Sequence, residues 1–181
     1  ANAYIKPLAR DYLDGIQAGL QKAGVEAPLL LMLSNGGLSD LVEAKRAPVA
    51  LLESGPAAGA LAAAWFGRDA AGGDVLAFDM GGTTAKLAVV DGGKPEVAYH
   101  FEAARQKRFA EGSGLPIRTS TIELIEIGAG GGSIARLDEI GLLKVGPDSA
   151  GSDPGPACYG LGGTAPTVTD ANFALGLLED R

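Results

Sequence analysis

Glycines in this chain come in clusters, and each cluster stands beside an apolar run. They gather at Asn35-Gly36-Gly37, Gly81-Gly82, Gly92-Gly93, Gly130-Gly131-Gly132 and Gly160 to Gly163. The 28 glycines among 181 residues are about twice the usual share of roughly 7%. A flexible linker would scatter them, whereas the segments between these clusters are apolar enough to bury, which argues against disorder. Turns that need positive φ, or backbone brought close to a ligand, explain such clusters better.

The most pointed cluster is "FDMGGTTAKLAVVDGG", residues 78–93. An apolar strand runs into Asp79, Gly81, Gly82, Thr83 and Thr84, and a second apolar strand leaves. Phosphate oxygens need several donors converging at close range, and a Cβ obstructs that approach. Gly81 and Gly82 remove the obstruction, so the amides of residues 81–84 can form an anion nest, with the Thr83 and Thr84 hydroxyls as further donors. Asp79 cannot favour a phosphate directly. Its use is to hold Mg²⁺ or its water shell, or to orient an attacking water. The competing reading is a tight hairpin with a capping aspartate.

Charge and length narrow the field. One ordinary domain or two small ones fit this length. A net charge of −7 with scattered basic residues argues against a nucleic-acid or anionic membrane partner. The single cysteine, Cys158, excludes an intramolecular disulfide and suits the cytoplasm. The uncharged stretch Ser54 to Gly67 is too short and glycine-interrupted to span a bilayer, and no signal-peptide pattern opens the chain. The chain starts at Ala1 in the lead-in to a helix, without methionine, so an internal segment of something longer is expected.

Element by element, Ile5, Leu8, Tyr12, Leu13, Ile16 and Leu20 fall at helical spacing, with Pro7 in a first turn and Gly24 as a stop. "PLLLML" (28–33) reads as a buried strand ending at "SNGG". A helix from Ser39 to Lys45 and a strand from Val49 to Leu52 follow, and Ser54 caps an alanine-rich helix. Strands are expected at Val75–Phe78, Ala85–Val90, Val97–Phe101 and, by alternation, across "TIELIEI" (121–127). Arg105 to Arg118 reads as a loop, Gly141 as a hairpin centre, and Thr169 to Leu178 as a helix capped by Thr169 or Asp170. The whole is α/β with a mixed sheet.

Rival nucleotide motifs fail. There is no Gly-Lys-Ser/Thr for a Walker A loop. "GAGGGS" (128–133) half-reads as a Rossmann fingerprint, but Ser133 replaces the last glycine and no convincing helix follows. Gly130, Gly131, Gly132 and Ser133 remain a site candidate, because three glycines at a strand's end have little packing value. Cys158 lacks a histidine nearby and reads as a packing residue; His100 reads as structural and Asp170 as a helix cap. The basic group Arg105, Lys107 and Arg108 reads as a solvated face.

The small-residue helix "ESGPAAGALAAAWFG" followed by "FDMGGTTAKLAVV" resembles two signatures of the actin-like ATPase superfamily of actin, heat-shock chaperones and sugar kinases. Together with "LSNGGL" and the block from Gly128 to Gly176, the chain resembles the hydantoinase A/5-oxoprolinase family over nearly its whole length. The resemblance implies an actin-like (ribonuclease H-like) fold, present as a partial domain. Residues 1–53 would be a lead-in, 54–67 a helix connecting lobes, and 74–181 the phosphate-hairpin and glycine-rich region. It implies ATP with Mg²⁺ or another divalent metal, phosphorylation of a cyclic amide carbonyl for hydrolysis, and a hydantoinase B-type partner. Relatives of the family activate a ketone or bicarbonate for carboxylation instead. An actin-like domain that binds nucleotide without catalysis is the reading from another class. Lys86 stands where many members carry a second aspartate; a lysine there can touch a phosphate or pair with an acid, and lends no support to a metal. The first phosphate hairpin and the adenosine segment of the family are not in these residues, so the isolated chain is expected to bind ATP very weakly and to hydrolyse no lactam.

Overall fold

In the computed structural model, which describes residues 1–69, 73–103 and 112–179, the chain opens on helix α1 (Asn2–Lys22). Leu13 is buried and Ile5, Ile16 and Leu20 are half-buried, but Leu8 and Tyr12 are exposed, so the inward stripe is narrower than the spacing predicts. Pro7 lies in the second turn rather than the first and gives up the bond to the Ala3 carbonyl. Gly24, at φ 76°, ends the helix.

Strands β1 (Leu30–Met32) and β2 (Leu38–Asp40) pair antiparallel across the Asn35-Gly36-Gly37 turn. β2 takes the place where the next helix was expected to begin. Helix α2 (Leu41–Arg46) starts later because the Asp40 carboxylate caps it, accepting from the Glu43 amide at 2.8 Å. The strand expected at Val49–Leu52 is a single 3-10 turn over Pro48–Leu51, since a proline suits the start of a helical turn and donates nothing to a ladder. Helix α3 (Ser54–Gly67) follows, with Glu53 rather than Ser54 in the capping position.

The rest is mostly strand: β3 (Val75–Met80), β4 (Ala85–Asp91), β5 (Lys94–Pro95), β6 (Val97–Ala98), β7 (Phe101–Ala103), β8 (Leu115–Ile117), β9 (Thr121–Ile122), β10 (Ile125–Ile127), β11 (Ser133–Leu137) and β12 (Leu143–Ser149). Helix α4 (Val168–Ala174) is the last regular element described. The stretch expected as one strand at Val97–Phe101 is thus two, and part of the expected loop is β8, which pairs with β7. Arg105, Lys107 and Arg108 lie outside the described residues. "TIELIEI" also divides: β9 pairs with β6, and β10 pairs with β4. Every pairing direction recorded among the described residues is antiparallel, so several small antiparallel sheets stand where a mixed sheet was expected. Most neighbouring strands are joined by short turns, which admit only that direction. The class is mixed α/β, and no described helix is long and apolar enough to cross a membrane.

The chain divides into two units, Ala1–Ala77 with Ala88–Leu124, and Phe78–Leu87 with Ile125–Arg181. In the first, Ala57 and Ala60 of α3 share a buried cluster with Ala77 of β3, Ala88 of β4 and Ile122 of β9. The fully buried positions of α3, Ala57, Ala60 and Ala64, fall at helical spacing and are all alanine, so backbone meets sheet at close range, with the half-buried Leu61 packed beside them. A Cβ on Gly67 would collide with the Val75 side chain. In the second unit, β10 flanks the turn end of β4, with Ile125, Glu126 and Ile127 opposite Leu87, Lys86 and Ala85. β11 and β12 form a hairpin whose bend carries Gly141 at φ 79°.

Candidate functional site

β3 and β4 are hydrogen-bonded neighbours joined by the four residues Gly81–Thr84, a connection that can only be an antiparallel hairpin. A strand therefore follows the glycine turn, where a P-loop or a Rossmann unit would place a helix. The Gly81 amide closes the turn on the Thr84 carbonyl at 2.9 Å, which removes it from the expected anion nest. The amides of Gly82, Thr83 and Thr84 have no partner among the described residues, and neither do the two threonine hydroxyls. Gly82 has no positive φ, and a Cβ there would meet nothing within 4 Å. Its glycine is required neither by the turn nor by packing, and space for a ligand remains as its use. Asp79 is exposed, and its carboxylate accepts no hydrogen bond among the described residues. The capping role of the competing hairpin reading is thus not filled.

The glycine triplet lies directly behind this turn. The Gly131 amide donates to the Gly81 carbonyl at 2.9 Å, and the Gly132 amide to the Gly82 carbonyl at 2.7 Å. The Gly130 amide donates to the buried Ser133 hydroxyl at 2.8 Å. A Cβ on Gly130 would stand 2.6 Å from the Gly81 carbonyl oxygen and 2.7 Å from the Thr83 nitrogen. Three glycines at a strand's end therefore do have a packing value: two backbones meet with no room for a side chain. All three amides are committed, so these residues and Ser133 support the turn from behind, and their amides are closed to direct phosphate contact.

Lys86 is only 14% exposed and reaches Glu126, its cross-strand partner, at 3.9 Å. His100 is exposed in the bend between β6 and β7, not in a strand as expected. The helix expected from Thr169 begins at Val168 and is capped by Thr167, with Asp170 completing a capping box. Asp170 accepts from the Thr167 amide at 2.8 Å, the Thr167 hydroxyl at 2.7 Å and the Cys158 amide at 2.7 Å. Burial pushes its acidity down, but the hydrogen bonds from Thr167 and Cys158 outweigh that and hold the carboxyl well below the usual carboxylate range. Burial, and then the Asp170 carboxylate, push the Cys158 thiol up, which disfavours the thiolate a nucleophile needs.

A folded-state pKa below the unfolded one makes the Asp170 contribution complete above about pH 4 and lost as pH falls below it. Asp170→Asn should flatten the acid limb of the stability curve below about pH 4 and cost about 1 kcal/mol at neutral pH. Denaturant midpoints across that range check it; an unchanged acid limb would assign the acid sensitivity elsewhere.

Sequence reasoning missed Glu53 and gave Thr169 only a possible capping part. Glu53 is the described non-glycine residue with positive φ, at 62°, a conformation glutamate adopts only under constraint. Thr169 binds the glycine triplet, as shown below. A shallow groove of about 520 Å³ lined by Arg10, Asp14, Val42, Lys45 and Arg46 lies in the first unit. Lys45 there pairs with Asp14, and Arg46 with Glu43.

The sequence model of the hydantoinase/oxoprolinase family matches residues 1–181. The chain belongs to that family. Within it, the chain is 42% identical to the caprolactamase subunit alpha of Pseudomonas jessenii, over 99% of this chain and 24% of that protein. It is 36% identical to the 5-oxoprolinase of Saccharomyces cerevisiae, over 98% of this chain and 13% of that protein. It superposes on the nucleotide-free structure of an acetone carboxylase, described as carrying out ATP-dependent acetone carboxylation, with a TM-score of 0.72 and 26% identity. That match covers 94% of this chain and 23% of the other. The chain thus spans a quarter or less of the length of these relatives.

Proposed function

We propose that this chain is a segment of an actin-like ATPase module in an ATP-dependent hydrolase of cyclic amides. The observation that carries this reading is the turn Gly81–Thr84, where three amides, two hydroxyls and the neighbouring Asp79 carboxylate have no partner among the described residues. Donors in that number suit the β- and γ-phosphates of ATP, and one carboxylate suits Mg²⁺, which binds through one or two carboxylates plus phosphates and water. No cluster of three metal-ligating side chains exists among the described residues, so a cation here would rest on Asp79 and the nucleotide. Bound ATP would supply a phosphoryl group to the amide carbonyl and make it a better electrophile.

The residues of this chain supply positioning and charge. Gly82, Thr83 and Thr84 would hold the phosphates, and Gly81 anchors the turn through its carbonyl. Asp79 would fix the metal where charge moves. Lys86, partly balanced by Glu126, adds positive potential two residues past the turn's end. Residues 1–53 as lead-in, 54–67 as connecting helix and 74–181 as phosphate region form the proposed division. A hydantoinase B-type partner and a cytoplasmic setting complete it.

ADP release by the full-length protein, measured with a panel of lactams and hydantoins, tests the proposal. Amide-stimulated turnover with one ring opened per ADP is expected. The likeness to acetone carboxylase favours a second reading, and stimulation by bicarbonate with a ketone would establish that one instead. Nucleotide binding with no stimulation by either would leave a non-catalytic actin-like domain.

A further inference from the structure

The phosphate reading of the turn leaves open what fixes its shape, because a hairpin of two glycines and two threonines has little stiffness of its own. The carbonyls of Gly81 and Gly82 are held by the amides of Gly131 and Gly132. The triplet is in turn held on its far side. The Gly131 carbonyl accepts from the Thr169 amide at 2.8 Å and the Thr169 hydroxyl at 2.9 Å. The Gly132 carbonyl accepts from the Ala150 amide at 2.8 Å. Thr169 is 9% exposed, and a Cβ on Gly131 would lie 2.8 Å from its hydroxyl oxygen. The order of contacts is therefore α4, glycine triplet, phosphate turn, with backbone bonds at every joint.

We propose that Thr169 is a positioning residue for the phosphate turn, acting through Gly131. Its hydroxyl doubles the donation to the Gly131 carbonyl and so holds the peptide unit whose other end, the Gly132 amide, grips the Gly82 carbonyl. The sequence offered Thr169 or Asp170 as the helix cap, and that task belongs to Thr167, with Asp170 completing its capping box. Thr169 is thus free of the capping role, and its hydroxyl donates to the triplet. The inference rests on the proposed phosphate site, and the test separates the two.

Thr169→Val keeps the shape and removes the hydroxyl, while Thr169→Ser keeps the hydroxyl and removes the methyl. Both are made in the full-length protein. ATP affinity is measured by calorimetry, kcat and KM by ADP release, and the unfolding midpoint on the same samples. The valine variant should bind ATP three- to tenfold more weakly, the scale of one hydrogen bond, with KM rising more than kcat falls. The serine variant should restore affinity to within twofold of the parent. A valine variant that binds ATP like the parent, or a serine variant as weak as the valine one, overturns the role of the hydroxyl while the phosphate site stands. A parent protein that binds no ATP overturns the phosphate site and this inference together.

Discussion

Asp79→Asn in the full-length protein should lower ATP turnover by roughly 10²-fold or more while leaving the unfolding midpoint in place. The substitution keeps size and deletes charge, so it removes what a metal-holding carboxylate contributes as charge moves during phosphoryl transfer. Had Asp79 capped its own turn, its loss would cost about 1 kcal/mol of stability and spare the turnover of folded enzyme. No such cap exists among the described residues, so the stability arm should be near zero. The two readings separate on one purified variant. Near-normal turnover would remove Asp79 from the site.

The second large effect lies behind the turn. Ordinary contact begins near 3.4 Å, and a Cβ on Gly130 would come to 2.6 Å of the Gly81 oxygen, so the turn must give by about 0.8 Å. The neighbour is backbone and cannot swing aside. Gly130→Ala should therefore destabilise the fold by about 1–3 kcal/mol, as overpacking does. It should also reduce turnover by about 10²-fold, the scale of a misplacement near 1 Å. Gly82→Ala supplies the contrast. Its Cβ meets open space and its φ lies outside the left-handed region, so the fold should keep its stability while ATP affinity falls. If Gly82→Ala binds ATP like the parent, the open space in front of the turn does not receive a phosphate.

These variants also mark what could be read before any coordinates. The hairpin around Asp79, the helix Ser54–Gly67 and the hairpin centred on Gly141 were legible, because local chemistry determines each. Short apolar runs were not. Pro48–Leu51 and Val97–Ala103 are too brief for periodicity to distinguish a helical turn from a strand or one strand from two. Alternation in 121–127 predicted one strand, but Thr121 and Ile122 are both buried, Ile125 and Glu126 both exposed, and Ile122 and Ile125 sit in strands with different partners. The glycine triplet was singled out for having little packing value, and the structure gives it one, against residues 81–83. Glycine admits either a ligand or another backbone, and only coordinates show that the visitor is residues 81–83.

The alanine face of α3 has a consequence for how this protein can change over generations. Ala57, Ala60 and Ala64 are buried, and on that helix the larger apolar side chain packed against the cluster is the half-buried Leu61. Most cores drift by shaving side chains and refilling the gap, a path open in both directions. Here the route runs one way. Replacement by glycine removes a single methyl and about 1 kcal/mol of helix preference, whereas any enlargement must lever the helix off β3 and β4. Saturation mutagenesis of these positions should therefore return a sharply lopsided table, with alanine, glycine and serine surviving and every branched or aromatic residue lost. Exposed Trp65 and Phe66, next along the helix after Ala64, should tolerate nearly anything that keeps the helix.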